Sequence, residues 1–181
     1  MAFRLPLLSL FCYKHDFYLS VLFTKGNGTH DIDFNSYAIK PGSLFFMLPG
    51  QTHNWELSDD IEGYIFFHTK TFYNLLFPNK RLDEYPSFYL RDNLKHIQLK
   101  TEEQLIYENY FKTILEEYRT SNSLKYRKLG LLIDLIYIDS NRLKIQPQFN
   151  TDKTNTQMLY YKKLQLLIDN HYMTLKKPKD Y

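Results

Sequence analysis

The chain has 181 residues, a formal charge of +3 and a pI near 8.7, a balance too mild to argue by itself for nucleic acid or a membrane. A chain of that length suits one domain, or one domain plus an attached piece, and a single domain of that size buries roughly 70% of its unfolded surface, so it needs no disulfide staples. One cysteine, Cys12, excludes an internal bridge and fits a reducing compartment, while 16 Tyr and 14 Phe against six Gly favour aromatic-rich strands over glycine-rich nucleotide loops.

The first residues, "MAFRLPLLSLFC", set a basic residue before an apolar run. Pro6, the lack of a small-residue cleavage site and the bulky Phe11 ahead of Cys12 argue against a signal or lipoprotein peptide, and an edge strand is expected. No other stretch approaches the ~18 apolar residues of a membrane helix, so the chain reads as soluble, cytoplasmic and without a membrane partner.

Residues 1–68 read as short strands between turn signals. "FYLSVLFTK" (17–25) leads to Asn27-Gly28, a pair that tolerates the positive φ of a tight hairpin; "HDIDF" (30–34) returns and "SYAI" (36–39) continues. After "KPG", the run "SLFFML" (43–48) is apolar throughout, as a strand covered on both faces requires. "PGQTH" turns, "NWEL" is short, and "IEGYIFFH" (61–68) is a further strand. This spacing suggests an all-β sandwich or barrel.

After residue 69 the pattern becomes helical. "TKTFYNLLF" (69–77) suits one or two turns stopped by Pro78, and "HIQL" (96–99) suits a last strand. A helix is expected over 101–120, starting at Thr101 with Glu102 and Glu103 in its first turn, and Ile106/Tyr107, Tyr110/Phe111, Ile114/Leu115 and Tyr118 on one side. "SLKYRKLGLLIDLIYIDS" (123–140) reads as a second helix, although its Leu/Ile run also suits a strand. Only Ser121-Asn122 separates the two, so an antiparallel hairpin is expected. Residues 141–156 read as a polar linker, and "QMLYYKKLQLLIDNHY" (157–172) as a third helix with Tyr161, Leu164, Ile168 and Tyr172 along one face.

Catalytic patterns are not found. There is no G-x-S-x-G elbow; Gly26 and Gly28 begin a G-x-G, but Asp31 stands where the third glycine of a dinucleotide loop belongs. The strand period sends His30 and Ile32 to one face and Asp31 and Asp33 to the other, so they cannot chelate together. His15, His53 and His68 each stand alone on their own element, and no metal or cofactor is expected. What remains is a small barrel able to hold one small ligand. Tyr18, Ser20, His53, Trp55, Tyr64 and His68 are the candidate lining. The hairpin offers Ile114, Leu115, Tyr118, Leu132, Leu135 and Ile136 as candidate dimerisation residues, one side packing on the barrel and the other on a second subunit.

"HDFYLSVLFTKGNGTHDIDFNSYAIKPGSLFFMLPGQTHNW" (15–55) resembles the N-terminal cupin-like domain of AraC-type transcription regulators, through its HDFY strand, glycine turn, "IDFNSY", "PGSL" and "PGQTH". "GYIFFHTKTFYNLLF" (63–77) resembles the family's next strand and short helix. The hairpin lies where the family carries its dimerisation helices, and 164–181 resembles the first helix of its helix-turn-helix domain. The resemblance implies a mainly β plus α chain: a cupin-like, double-stranded β-helix barrel over 1–100 that senses an effector, a sugar among the candidates. A dimerisation hairpin over 101–140, a linker over 141–156 and the first helix of a truncated DNA-binding domain over 157–181 would follow.

It also implies a homodimer that reaches DNA only through recognition helices beyond residue 181, so this stretch alone is not expected to bind DNA specifically. Against the second cupin motif, G-x5-P-x-G-x2-H-x3-N, Gly42, Gly50 and His53 match, while Leu48 replaces the proline and Leu57 the asparagine. The first motif, His-x-His with its glutamate, has no counterpart, which speaks against cupin metal chemistry. The competing expectation is a stand-alone cupin-like metal enzyme or binding module acting on a sugar or small acid.

Overall fold

The computed structural model describes residues 2–4, 13–79, 82, 85, 88, 95–145, and 160, 163, 164, 167, 168, 171, 174, 175, 177 and 179. Its strands are β1 (Ala2–Arg4), β2 (Tyr13–Lys14), β3 (Tyr18–Lys25), β4 (Gly28–Ile32), β5 (Asn35–Ile39), β6 (Ser43–Met47), β7 (Thr52–Leu57), β8 (Glu62–His68) and β9 (His96–Gln98). The helices are α1 (Lys70–Leu76), α2 (Thr101–Arg119) and α3 (Lys125–Ile145).

The strands form two antiparallel sheets, one ordered β1-β8-β3-β6-β9 and the other β2-β7-β4-β5. The fold is cupin-like, and the expected edge strand at the N-terminus is β1 beside β8. Leu19, Val21 and Phe23 of β3 with Phe45 and Met47 of β6 meet Ile32, Ile39 and Trp55 of the opposite sheet to fill the barrel. Tyr18, Leu22, Leu44, Phe46, Tyr64 and Phe66 point the other way, into a second core shared with Tyr107, Phe111, Ile114, Ile133 and Tyr137 of the helices. The five-stranded sheet is thus covered on both faces, which is why β6 is apolar at every position but Ser43 and buried throughout.

Several expectations shift in detail. The positive φ of the β3–β4 turn falls on Gly26 (+80°), while Gly28 already belongs to β4, where a Cβ would run into the Glu56 carbonyl of the paired strand. Helix α2 begins at Thr101, and its Glu103 carboxylate reaches back to accept the Lys100 N–H at 2.8 Å. Its buried stripe is Tyr107, Phe111, Ile114 and Leu115, with Ile106 left exposed. Helix α3 continues to Ile145, into the first residues of the expected linker. Barrel and hairpin share one compact unit over 1–144, and 145–181 form a second. Within that second unit Tyr160, Lys163, Leu164, Leu167, Ile168 and His171 are helical, and the remainder of the expected third helix lies outside the described residues. No described helix is long and apolar enough to cross a membrane.

Candidate functional site

The barrel interior carries a polar cluster in an otherwise hydrocarbon core. His30 on β4 sits directly across from Trp55 on β7, and Ile32 across from His53, so the period of two brings His30, His53 and Trp55 to the same inner face. His30 Nε2 lies 3.2 Å from His53 Nδ1, one ring supplying the N–H and the other the lone pair. His15, just ahead of β3, stacks on Phe17 with centroids 4.2 Å apart and meets His53 edge-on at 5.3 Å. Its Nδ1–H donates to the Phe17 carbonyl at 2.9 Å. Three buried nitrogens here have no hydrogen-bond partner: His15 Nε2, His30 Nδ1 and Trp55 Nε1.

Burial sets the charge of this cluster. It holds His30 well below the usual imidazole value, helped by neighbouring His53 and His96, and it pushes His53 down to about 4, helped by His15. At neutral pH the rings are uncharged: His15, its N–H spent on Phe17, keeps an acceptor at Nε2, His30 Nδ1 is a donor or an acceptor according to the tautomer its bond to His53 fixes, and Trp55 adds a donor. Such a set suits a small molecule bearing hydroxyl, amide or carboxyl groups. Among the described residues no group of three or more His, Cys, Asp or Glu side chains is placed to hold a metal ion.

One end of the barrel is tied by Asp33, which sits in the left-handed region (φ +54°). Gln51 of the "PGQTH" turn accepts the Leu48 N–H through Oε1 (2.9 Å) and donates through Nε2 to Asp33 Oδ2 (2.7 Å). The Thr52 N–H and the buried Lys95 ammonium donate to the same carboxylate, each at 3.1 Å. Partial burial disfavours the charged form of Asp33, but these donors more than offset it and hold the carboxyl below its ordinary range. The turn therefore anchors the strand that presents His53.

The sequence-derived lining does not form one pocket. His53 and Trp55 face the barrel, but Tyr18, Ser20, Tyr64 and His68 lie on the opposite face of the five-stranded sheet, against the helices. His68 donates Nδ1–H to the Thr69 carbonyl (3.0 Å) and accepts the Tyr137 hydroxyl at Nε2 (2.7 Å), and Tyr18 stacks on it at 5.4 Å. Ser20 and Tyr64 are likewise buried beneath the hairpin. The reason is physical: a doubly covered strand alternates between two apolar faces, and period alone does not say which one is the barrel. His15 and His30 were missed as lining; the cross-strand placement of His30 against "NWEL" was the available signal.

The candidate dimerisation set divides in the same way. Ile114, Leu115 and Ile136 are buried in the chain's own core, so they are not available to a partner, and Tyr118 and Leu132 are partly buried against it. Leu135 is exposed, together with Leu131 (55%) one turn earlier. The hairpin's wide apolar arc is consumed mostly by the sheet.

A family model described as the AraC-like ligand binding domain matches residues 13–87. Among solved structures, apo ToxT from Vibrio cholerae is similar over 99% of this chain and 67% of its own, at 13% identity and a TM-score of 0.52. CuxR, an AraC-like transcriptional activator, is similar over 92% of this chain and 55% of its own, at 13% identity and a TM-score of 0.47. The cupin domain of Cnp3 from Schizosaccharomyces pombe covers 44% of this chain and 61% of its own, at 16% identity and a TM-score of 0.35. No curated protein sequence matches the chain.

Proposed function

We propose that residues 13–87, which match the family model of the AraC-like ligand binding domain, act as such a domain, and that the chain is the effector-sensing and dimerisation region of an AraC-type transcription regulator. In this reading it is a cytoplasmic binding protein and not an enzyme. The observation that carries it is the set of three buried, partnerless nitrogens on His15, His30 and Trp55 inside the barrel. Buried polar groups left without partners are costly, and a bound effector relieves that cost. A sugar or a small acid has the hydroxyl or carboxyl groups to meet them.

The outward face of α3, with Leu131 and Leu135, is the patch for a second subunit. DNA contact belongs to helix-turn-helix units that follow a linker after α3, the first of them opening near residue 157. Effector control then requires different effector affinity in two arrangements of barrel, hairpin and DNA-binding domain.

Trp55 is the only tryptophan of the chain and lies in the proposed site. Titrating monosaccharides and small hydroxy or aromatic acids while following its emission should give a saturable change for one class. That change should disappear in His30→Phe. Ordered water bonded to all three nitrogens in a ligand-free crystal, with no saturable response from either class, would overturn the barrel assignment. Sedimentation of Leu131→Glu/Leu135→Glu should show monomer where the parent is dimer; an unchanged dimer would move the interface elsewhere.

A further inference from the structure

On the other side of the five-stranded sheet a groove of about 280 Å³ runs between the end of β8, α1 and the hairpin. Phe17, Phe66, Phe67, Ile114, Leu129 and Ile133 make its walls. Its volume lies just below the ~300–1,000 Å³ range of ligand pockets. Part of the polar lining is already engaged: His68 uses both ring nitrogens, and Thr69 Oγ1 accepts the Phe72 N–H as the cap of α1. The walls themselves are mainly hydrocarbon.

The rim is different. Tyr118 and Tyr126 line the groove, and the Lys125 ammonium stands 5.0 Å from the Tyr118 ring centroid and 5.8 Å from that of Tyr126. Lys125 donates to the Thr120 carbonyl at 2.8 Å, which engages one of its three N–H groups. Arg127 and Lys128 follow in the same first turn, which holds no acidic residue, and Glu117 is taken by Lys128 at 2.6 Å. The N-terminal end of α3 adds its own positive potential.

We propose that this groove binds an amphipathic carboxylate, an acyl or aryl body inserted among the phenylalanine and isoleucine walls with its carboxylate on Lys125. The groove shares Phe17 with the barrel cluster, where that ring stacks on His15, but its lining includes none of His30, His53 and Trp55, and the proposal stands whether or not the barrel takes an effector. Because its walls come from β8, α1, α2 and α3, an occupant braces the hairpin against the sheet. Leu129 and Ile133 face the groove on the helix that carries exposed Leu131 and Leu135, so the ligand also fixes the face assigned to the second subunit.

Calorimetry with decanoate and with decan-1-ol tests this on the whole chain, with NOEs from the alkyl chain to the Ile114 and Ile133 methyls as the reading of place. Decanoate should bind one per chain, and decan-1-ol about tenfold more weakly. Lys125→Met should bring decanoate down to the alcohol's affinity while leaving the alcohol unchanged, and Lys125→Glu should reverse the preference toward decyltrimethylammonium. Trp55 emission should not move. Equal binding of acid and alcohol, indifference to both Lys125 variants, NOEs to other methyls, no binding at millimolar decanoate, or a dimer whose partner side chains fill the groove would each overturn the proposal.

Discussion

The two faces of the five-stranded sheet bury polar groups in opposite ways. On the helix face, Tyr73 and Tyr85 both donate to Asp134 Oδ1 at 2.6 Å, Tyr137 donates to His68, and Ser140 donates to the Tyr107 hydroxyl at 3.1 Å. On the barrel face, His15, His30 and Trp55 each keep a buried nitrogen unbonded. A finished network specifies one packing of sheet and hairpin, whereas an unfinished one keeps donors and acceptors available to a ligand. Stability should therefore be concentrated on the helix face, and recognition by hydrogen bonds to buried side chains on the barrel face.

The largest effect is expected where the finished network has its hub. Asp134→Ala removes the acceptor shared by two buried tyrosine hydroxyls and should cost about 3–5 kcal/mol in urea unfolding. Asp134→Asn keeps an acceptor and should cost about half of that. Equal, small losses in both variants would show that the aromatic packing of Tyr73, Tyr85 and Tyr137 holds the hairpin without the carboxylate.

Acid should act on both faces together. Burial pushes His53, on the barrel face, and His68, on the helix face, down to about 4 from the ordinary 6.5. Between those values the unfolded chain binds more protons than the folded one, so their contribution is intact above pH 6.5 and is lost as pH falls toward 4. Each should contribute a slope approaching about 1.4 kcal/mol per pH unit, or about 3 kcal/mol across the window. Chemical denaturation from pH 7 to 4 should show this loss, and His53→Gln and His68→Gln should each flatten it by that residue's share. A flat profile in the parent would mean that these rings protonate in the folded state at their ordinary value.

The same contrast marks how far the sequence could be read. "SLFFML" announced a strand covered on both faces, and the turn residues placed β3 to β8 within one or two residues. The strand period also separated His30 from Asp31, while Asp33 lies past the end of β4 in a left-handed turn that the period does not govern. What it lacked was the side of the sheet: Tyr18, Ser20, Tyr64 and His68 have the composition of a pocket, yet each alternates with the residue that enters the barrel. A covering helix makes the outer face of a strand as apolar as the inner one, and only cross-strand register, His30 against Trp55, distinguishes them. The hairpin failed in the same way, since Ile114, Leu115 and Ile136 were apolar for the sheet's sake.

Trp55 gives the smallest expected effect and the sharpest contrast with Asp134. Its indole N–H is buried without an acceptor, so Trp55→Phe removes an unbonded donor, which favours the folded state, and some ring volume, which does not. Those changes oppose each other, and the net loss in urea unfolding should stay within about 1 kcal/mol. Effector binding, followed calorimetrically because the fluorophore is gone, should weaken about tenfold for a ligand that accepts that N–H. A loss of several kcal/mol with binding intact would mean that the N–H is bonded through ordered water. The barrel face would then be a finished network like its counterpart, and recognition would have to reside elsewhere in the fold.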